Sequence, residues 1–548
     1  MSASTRWWIY ALLIAISAGL MVARIARVRS PDPKNKTPFL SANDRSRWAT
    51  IRALGDDGTY AIDAIVFNAK GDRVRGWHTI DMVRHRGPDG REHYYSSKPT
   101  LLTTLLAGEY WLLKAATGAT LKDQTFFVAR IMLVLTNVVP LVLALVLLAW
   151  LVERMAARPL NPEMGNDFGR IFIVAAACFA TFLTTYSVTL NNHLTAGIAL
   201  IFGLAVIVPM WQSGRFDWLR MAVAGLCLGF LAANELPALS LTVFAGAALA
   251  WKSPLKTLLA YVPAVLLVAA AALGTNITAH GDWRTPYAHR QDGPKIGSLN
   301  DALATELNEG RVPGDLKKTF SLSDQATLSV ERRGERWVVF DPAAQVRMTL
   351  DRSPEGVSPT EIRVHAWDNW YDYPGSYWRP ENLEGVDRGE ASPAEYAFHV
   401  LIGHHGLFSL TPLWLLSVAG CAIWLASGRR KPPGTSPSPR GPANVQFFLA
   451  ATTLLITLVV IAFYLTRPQI DRNYGGGTCC LRWLIWLTPL WLLTMLPAAE
   501  WLSRSWWGRG TMLVLLAISV FSAHYAADNP WSHPWIFDYW TALGWIKY

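Results

Sequence analysis

Runs of about 17 to 25 apolar residues recur along this chain, and each is long enough to cross a hydrocarbon core about 30 Å thick as a helix. A chain with many such runs needs lipid as a second solvent, because water offers no way to cover them all. The charge deficit agrees: 16% of the 548 residues are charged, against roughly 25% in an ordinary soluble domain. Eleven spans are expected, at 7–25, 127–152, 171–189, 194–212, 218–233, 236–251, 257–274, 404–426, 446–465, 480–499 and 510–526. The fifth and sixth are short and are separated by Ala-Asn-Glu-Leu-Pro at 233–237, where proline removes a helix donor and the polar pair favours a turn. The run 7–22 follows Arg6 and reads as an uncleaved anchor rather than a signal peptide.

The formal net charge of +10 falls mainly in short segments between apolar runs, so it reads as topology and not as a nucleic-acid face. With the N-terminus inside, Arg154, Arg158 and Arg170 share an inner loop; so do Arg215 and Arg220, Lys252 and Lys256, Arg429, Arg430, Lys431 and Arg440, and Arg504 and Arg509. The cluster Arg24, Arg27, Arg29, Lys34 and Lys36 falls outside as a local exception, since long loops obey the charge rule weakly. The expected fold is an all-α polytopic membrane protein with about eleven transmembrane helices. It divides into an N-terminal membrane domain 1–274, an extracytoplasmic soluble insertion 275–403, and the C-terminal membrane helices and outer tail 404–548. The first extracytoplasmic loop, 26–126, carries short helices; the insertion is a small α+β or β-rich unit with strands at 326–332, 336–341, 346–350 and 361–367. Segment 427–445 reads as a flexible inner linker. Five cysteines are too few for a disulfide scaffold, and the adjacent Cys479 and Cys480 have no zinc-site spacing.

Chemistry is concentrated in the outer segments. Asp44 falls near the start of a helix in the first loop, where a carboxylate either caps the helix or faces a substrate, and spacing favours the cap. Asp56 and Asp57 before a glycine read as a turn. Asp63, Trp77-His-Thr-Ile-Asp81 and Tyr94-Tyr95 follow in the same loop. Lys98 ahead of Pro99 presents an ammonium at membrane-surface height; a lipid phosphate and a snorkelling lysine fit it equally. Asn191-Asn192-His193 and Asn234-Glu235 interrupt apolar runs at the outer face, as cavity-lining residues or tight interfacial turns do. Tyr474-Gly-Gly-Gly-Thr-Cys-Cys-Leu-Arg482 combines backbone that a ligand can approach closely with an arginine entering an apolar run. An arginine at that depth is costly unless it meets an anion or snorkels, and its fixed donors suit phosphate oxygens.

Taken together, an acidic residue opening a first-loop helix, a later Lys-Pro, and a glycine-rich loop ending in Arg resemble the polyprenyl-phosphate-dependent glycosyltransferases of the C-type membrane fold. The protein O-mannosyltransferase and aminoarabinose transferase group is the nearest. The resemblance covers the membrane frame and first loop, about two thirds of the chain. It implies Asp44 as the catalytic carboxylate, with Asn43 where the family often has a second acid. It implies Lys98 and Arg482 on the donor phosphate, with Thr100 in place of a second proline and Cys479-Cys480-Leu481 in place of the usual small residue and proline. Asp63, Tyr95, His193, Glu235 and Tyr474 are then candidates for an acceptor or donor pocket, and a divalent metal is left open with its ligands unknown.

The implied reaction is inverting transfer of a hexosyl or pentosyl group from a polyprenyl-phosphate-linked sugar. The acceptor hydroxyl or amine belongs to a lipid, glycan or protein, and the site lies on the outer face of a bacterial inner (cytoplasmic) membrane. No Asp-x-Asp motif, P-loop or GxGxxG after a strand points to a nucleotide-sugar or dinucleotide enzyme, and no nucleic-acid partner is expected. Two other readings remain, a transporter or flippase for a lipid-linked solute and a catalytically silent homologue.

Overall fold

The computed structural model describes residues 1–156, 166–320, 328–333, 336–341, 346–353, 361–428 and 445–548. Arg158, Arg429, Arg430, Lys431 and Arg440 of the expected inner loops lie outside the described residues, as do most of the linker 427–445 and the first two residues of the expected strand at 326–332.

Seven helices are long and apolar enough to cross a membrane: Ala3–Arg27, Thr125–Ala156, Asp167–Val188, Asn192–Ser213, Pro254–His280, Val445–Leu465 and Trp506–Tyr525. An eighth crossing results if the pair Arg482–Thr494 and Leu496–Leu502, bent by 47°, counts as one span. The remaining three expected spans coincide with shorter apolar helices, Trp218–Asn234, Leu236–Lys252 and Trp414–Ser427, so length alone supports seven or eight crossings rather than eleven. The helices show large apolar side chains outward, among them Leu12, Leu143, Leu266, Leu267, Leu458 and Val514, each more than half exposed. A row of such residues on long helices is stable only against lipid. Trp506 and Trp507 stand exposed at the start of the last long helix, where aromatic rings suit the headgroup layer.

Two of the expected spans are reshaped by local chemistry. The run 404–426 forms one helical turn at Leu407–Leu410 and begins its long helix at Trp414, because Gly403-His404-His405-Gly406 and Pro412 interrupt the backbone before it. The run 480–499 enters as 3₁₀ turns over Arg482–Leu487 and then bends, with Pro489 and Pro497 each removing a helix donor.

The two ends of the bundle differ in chemistry. At one end Arg6 pairs with Glu153 and Asp167, each at 2.8 Å, and Arg170 reaches Glu153 at 3.2 Å. These pairs hold the N-terminus against the end of Thr125–Ala156 and the start of Asp167–Val188. The two large loops gather at the other end.

The first loop contains the helix Ala42–Asp57, a short helix Asp63–Val66, the hairpin Met82–Arg86 with Glu92–Ser96, and the helix Thr100–Thr117. Ser41 accepts the Asp44 N–H and caps the first helix, and Gly58 ends it at φ 67°. Asp56 and Asp57, expected as a turn, instead end this helix, and the Asp56 carboxylate accepts from Tyr110 and Lys114 at 2.8 and 2.7 Å, a structural role. Helix Thr100–Thr117 leaves Leu105, Trp111 and Leu112 exposed along one side while Leu102, Leu106 and Tyr110 are buried. That split fits a helix lying at an interface.

The second large segment forms a five-stranded antiparallel sheet in the order Lys295–Asn300, Glu361–Ala366, Val346–Arg352, Arg336–Asp341, Ser329–Arg333. Four of these strands fall where the sequence alternates; the first is unmarked because Lys295-Ile-Gly-Ser-Leu-Asn300 is too polar to read as a strand. Trp337, Leu350, Ile362 and Val364 bury one face under the short helices Ala304–Asn308 and Gly314–Thr319. The two large segments touch: the Arg84 N–H donates to the Trp370 carbonyl at 2.9 Å, the Trp378 indole donates to the Ile80 carbonyl at 2.8 Å, and Arg347 pairs with Glu92 at 3.2 Å.

Candidate functional site

Helix Ala42–Asp57 presents Asn43, Asp44 and Arg47 to the membrane helices, since residues three and four apart share a face. The Asp44 carboxylate is fully buried and accepts the backbone N–H of Leu40 and of Leu190, each at 3.1 Å, together with the Thr189 hydroxyl. Burial pushes its pKa up to about 6, against the pull of those N–H donors, the hydroxyl and the Arg47 charge. Arg47 bonds the Asn43 carbonyl and side chain, then reaches the Asn192 side-chain oxygen at 2.5 Å. The Asn192 amide in turn donates to Glu235 at 2.7 Å, and Glu235 pairs with His193. A polar chain therefore runs from the first loop across the tops of two broken apolar runs.

Lys98 is buried and pairs with Asp81 at 3.0 Å, and its ammonium donates to the Tyr287 hydroxyl at 3.3 Å. Burial raises Asp81, yet the charges of Lys98, Arg482 and Arg47 outweigh it and hold the carboxyl below its ordinary range.

Arg482 closes the site. Its guanidinium lies over the Trp531 ring at 5.0 Å, and the Trp531 indole donates to the Thr189 hydroxyl at 3.0 Å. The path Arg482, Trp531, Thr189, Asp44 thus joins the last glycine-rich segment to the first loop. Arg482 is 9% exposed, has no carboxylate partner and makes no hydrogen bond among the described residues, and its buried Nε is unpaired. Its charge is felt at Arg47, Asp81 and Asp387. Burial, together with the charge of Arg482, brings Arg47 down to about 10, against the pull of Tyr287, Asp81 and Asp44.

Gly475, at φ 93°, leaves the room Arg482 occupies, because a Cβ there would collide with its Nε. Gly475→Ala is therefore expected to displace Arg482 and, with it, the donor-phosphate contact that the resemblance implies, weakening binding of a polyprenyl phosphate about tenfold or more, as loss of a charge-assisted contact does. Gly90→Ala, at an equally positive φ but with open space around it, controls for backbone strain. Equal binding by both variants and the wild type, measured with a labelled lipid phosphate, would separate Gly475 from the site.

Of the residues singled out in the sequence, Asp44, Lys98, Arg482, His193 and Glu235 meet in this cluster. Asp63 and Tyr95 lie elsewhere in the first loop. Asp63 accepts the Tyr94 N–H and pairs with His93, while the Tyr95 ring stacks on His85 at 4.3 Å. Tyr474 turns away from Arg482 to donate to Glu390 and stack on His405 at 4.0 Å.

Four residues given no role in the sequence belong to the cluster, Asp81 among them although its stretch was singled out. Arg47 had a signal, one helical turn from Asn43 on the face of Asp44. Asp81 and Tyr287 had none beyond their residue types. Asp387 lies beside Gly476 and accepts the Tyr377 hydroxyl at 2.8 Å; burial raises its pKa, with the Asp81 charge adding to the effect and Tyr377 and Arg482 opposing it.

The residues at Asp44 do not fit a divalent metal. The Asp44 oxygens already accept three donors, Asn43 gives its side-chain oxygen to Arg47, and the nearest charges are cationic. What the arrangement offers instead is a buried cluster in which the cations Arg47, Lys98 and Arg482 are interleaved with the carboxylates Asp44, Asp81, Glu235 and Asp387.

No family model and no curated protein matches the chain. Three solved structures of the oligosaccharyltransferase from Archaeoglobus fulgidus are similar at 11 to 12% identity, namely the apo form, a complex with an inhibitory peptide and a dolichol-phosphate, and a form tethered to an acceptor peptide. The first two have a TM-score of 0.41 and the third 0.38; 97 to 98% of this chain is covered, and it spans 57% of their length.

Proposed function

We propose that the protein is a glycosyltransferase that takes a sugar from a polyprenyl-phosphate donor and moves it to an acceptor hydroxyl or amine at the outer face of the membrane. The observation that carries this is Arg482, a buried cation that stacks on Trp531 but has no carboxylate and no hydrogen-bond partner among the described residues. Desolvating a guanidinium costs several kcal/mol unless an anion compensates, and a phosphate does so with two parallel hydrogen bonds. Lys98 and Arg47 add charge around the same place, and membrane-spanning helices flank it. Leu481 and Leu484, on either side of Arg482 in the sequence, help to line a small apolar cleft of about 30 Å³ with Phe182, Trp414 and Trp491.

In the proposed reaction the acceptor oxygen attacks the anomeric carbon opposite the phosphate. The bond from that carbon to the phosphate oxygen breaks, its electron pair leaves with the phosphate, and the configuration inverts. Arg482 and Lys98 hold the developing charge in a site shielded from water, where fixed donors act most strongly. Asp44 takes the proton of the acceptor; a carboxylate with a pKa of about 6 is ionised at neutral pH and well placed for that role. The proposal keeps eleven crossings with the N-terminus inside, which puts the Arg6 end of the bundle in the cytoplasm.

One observation favours a second reading, a lipid-phosphate-binding protein that transfers nothing: three donors already occupy Asp44. A single assay separates the two. Sealed vesicles of known orientation carrying the full chain receive a labelled polyprenyl-phosphate sugar and an acceptor on one side at a time. Donor consumption with the acceptor outside is expected. Binding without consumption supports the second reading, and consumption only with the acceptor inside overturns the orientation.

A further inference from the structure

A second polar cluster lies just beyond the glycine-rich loop, built by the helix Pro393–Leu401, the turn at 403–406 and Glu390. Glu390 is 5% exposed and has no ion-pair partner among the described residues. Two tyrosine hydroxyls, Tyr474 and Tyr548, donate to its Oε1 at 2.5 Å each. The His399 imidazole is 8% exposed and has no hydrogen-bond partner among the described residues; it stacks on His404 at 4.0 Å. His404 is fully buried, with one ring nitrogen 2.9 Å from the Tyr548 hydroxyl and the other 2.5 Å from Nδ1 of His405. Glu390, His399 and His404 each offer one ligand atom, and the three atoms lie within 4.8 Å of one another.

Each of these features is costly in isolation. The buried Glu390 carboxylate has two hydroxyl donors but no cation, and the buried His399 imidazole is stacked but makes no hydrogen bond among the described residues, so neither recovers all of its lost hydration. A divalent cation between them repays both. Two imidazoles and one carboxylate, with a further position for water or hydroxyl, form a donor set that zinc takes readily. The tyrosines bound to Oε1 would serve as the outer contacts that orient a metal-ligating carboxylate.

We propose that Glu390, His399 and His404 form a zinc site that fixes the glycine-rich loop. The loop is tied to the cluster at several points: Tyr474 bonds Glu390, the Glu390 N–H donates to the Arg472 carbonyl at 2.9 Å, and His405 bonds the Thr478 carbonyl at 3.0 Å. A metal here holds the backbone against which Arg482 is set, and takes no part in the transfer step. The site stands on its own residues, so it holds even if the donor is not a polyprenyl phosphate.

The test uses the full-length chain in detergent, stripped with a chelator and dialysed against micromolar zinc chloride. Metal analysis is expected to find about one zinc per chain, with bound cobalt giving the visible bands of a low-symmetry site. Glu390→Gln and His399→Ala are each expected to weaken zinc binding at least tenfold, the scale for loss of a metal contact, while His93→Ala, outside the cluster, keeps it. Zinc is also expected to raise the thermal midpoint of the wild type but not of His399→Ala; that readout serves if Glu390→Gln fails to fold. Absence of stoichiometric zinc in the wild type, or full retention by both ligand variants, overturns the proposal.

Discussion

Replacing Arg482 by methionine is expected to cut donor consumption by about 10²- to 10³-fold, the scale for losing one fixed donor to a developing oxyanion, while leaving the thermal midpoint unchanged or higher. The two halves of that result point in opposite directions for a physical reason. In the folded protein without donor, Arg482 is a buried charge with no carboxylate and no hydrogen bond among the described residues, so its burial is a standing cost that an apolar side chain of similar length removes. Its stacking on Trp531 at 5.0 Å recovers part of that cost, about 0.5 to 2 kcal/mol for a contact of this type. Arg482→Lys is expected to recover some donor binding and little turnover, because an ammonium gives a point charge where the guanidinium gives two parallel donors. Arg467→Ala, which removes an exposed pair with Asp471, serves as the control with wild-type behaviour. A methionine variant that unfolds would mean Arg482 is structural; one with wild-type donor binding and turnover would end the phosphate assignment.

How far the site could be read from the sequence depends on what kind of signal each residue carries. Arg482 and Lys98 are legible alone, since a cation set into an apolar run breaks a strong pattern. His193 and Glu235 are legible as interruptions of spans. Asp81 is different: its significance lies in the pairing with Lys98 at 3.0 Å and in the nearby charges of Arg482 and Arg47, and no spacing encodes that. Tyr287 and Asp387 come from the segment before the sheet and the segment after it, and only the docking of that segment on the first loop brings them in. Asp63, Tyr95 and Tyr474 show the converse, polar residues in suggestive stretches whose side chains serve hairpin packing or the Glu390 cluster. His404-His405 is a polar pair inside an expected apolar span that drew no separate reading, and it marks the point after which the long helix is delayed to Trp414. The spans were legible as apolar runs, whereas the 47° bend after Thr494 and the 3₁₀ entry at Arg482–Leu487 depend on prolines and packing that hydropathy averages away.

Asp44→Asn is expected to lower turnover by about 10²- to 10⁴-fold, the range for loss of a general base, while donor binding stays within a few fold. The pH profile carries the discrimination. The wild-type carboxyl must be ionised to accept a proton, so its turnover is expected to rise with pH through about 6, and the asparagine variant to lose that limb. Stability follows the opposite sign. The folded pKa lies above the ordinary carboxylate value of 3.8, so between about 4 and 6 the folded state holds more protons than the unfolded chain. The wild type therefore loses stability relative to the variant as pH rises through that window, and the difference is constant above it. Asparagine adds a fixed cost of its own, since one oxygen cannot accept from both Leu40 and Leu190 and its amide faces a donor. A lower thermal midpoint for the variant at every pH, together with an unchanged acid limb in the residual activity, would make Asp44 a tether and move the base elsewhere. Asp387 is then the carboxyl to test, because it sits beside Gly476 with a raised pKa. Asp387→Asn, and not Asp44→Asn, would in that case remove the limb.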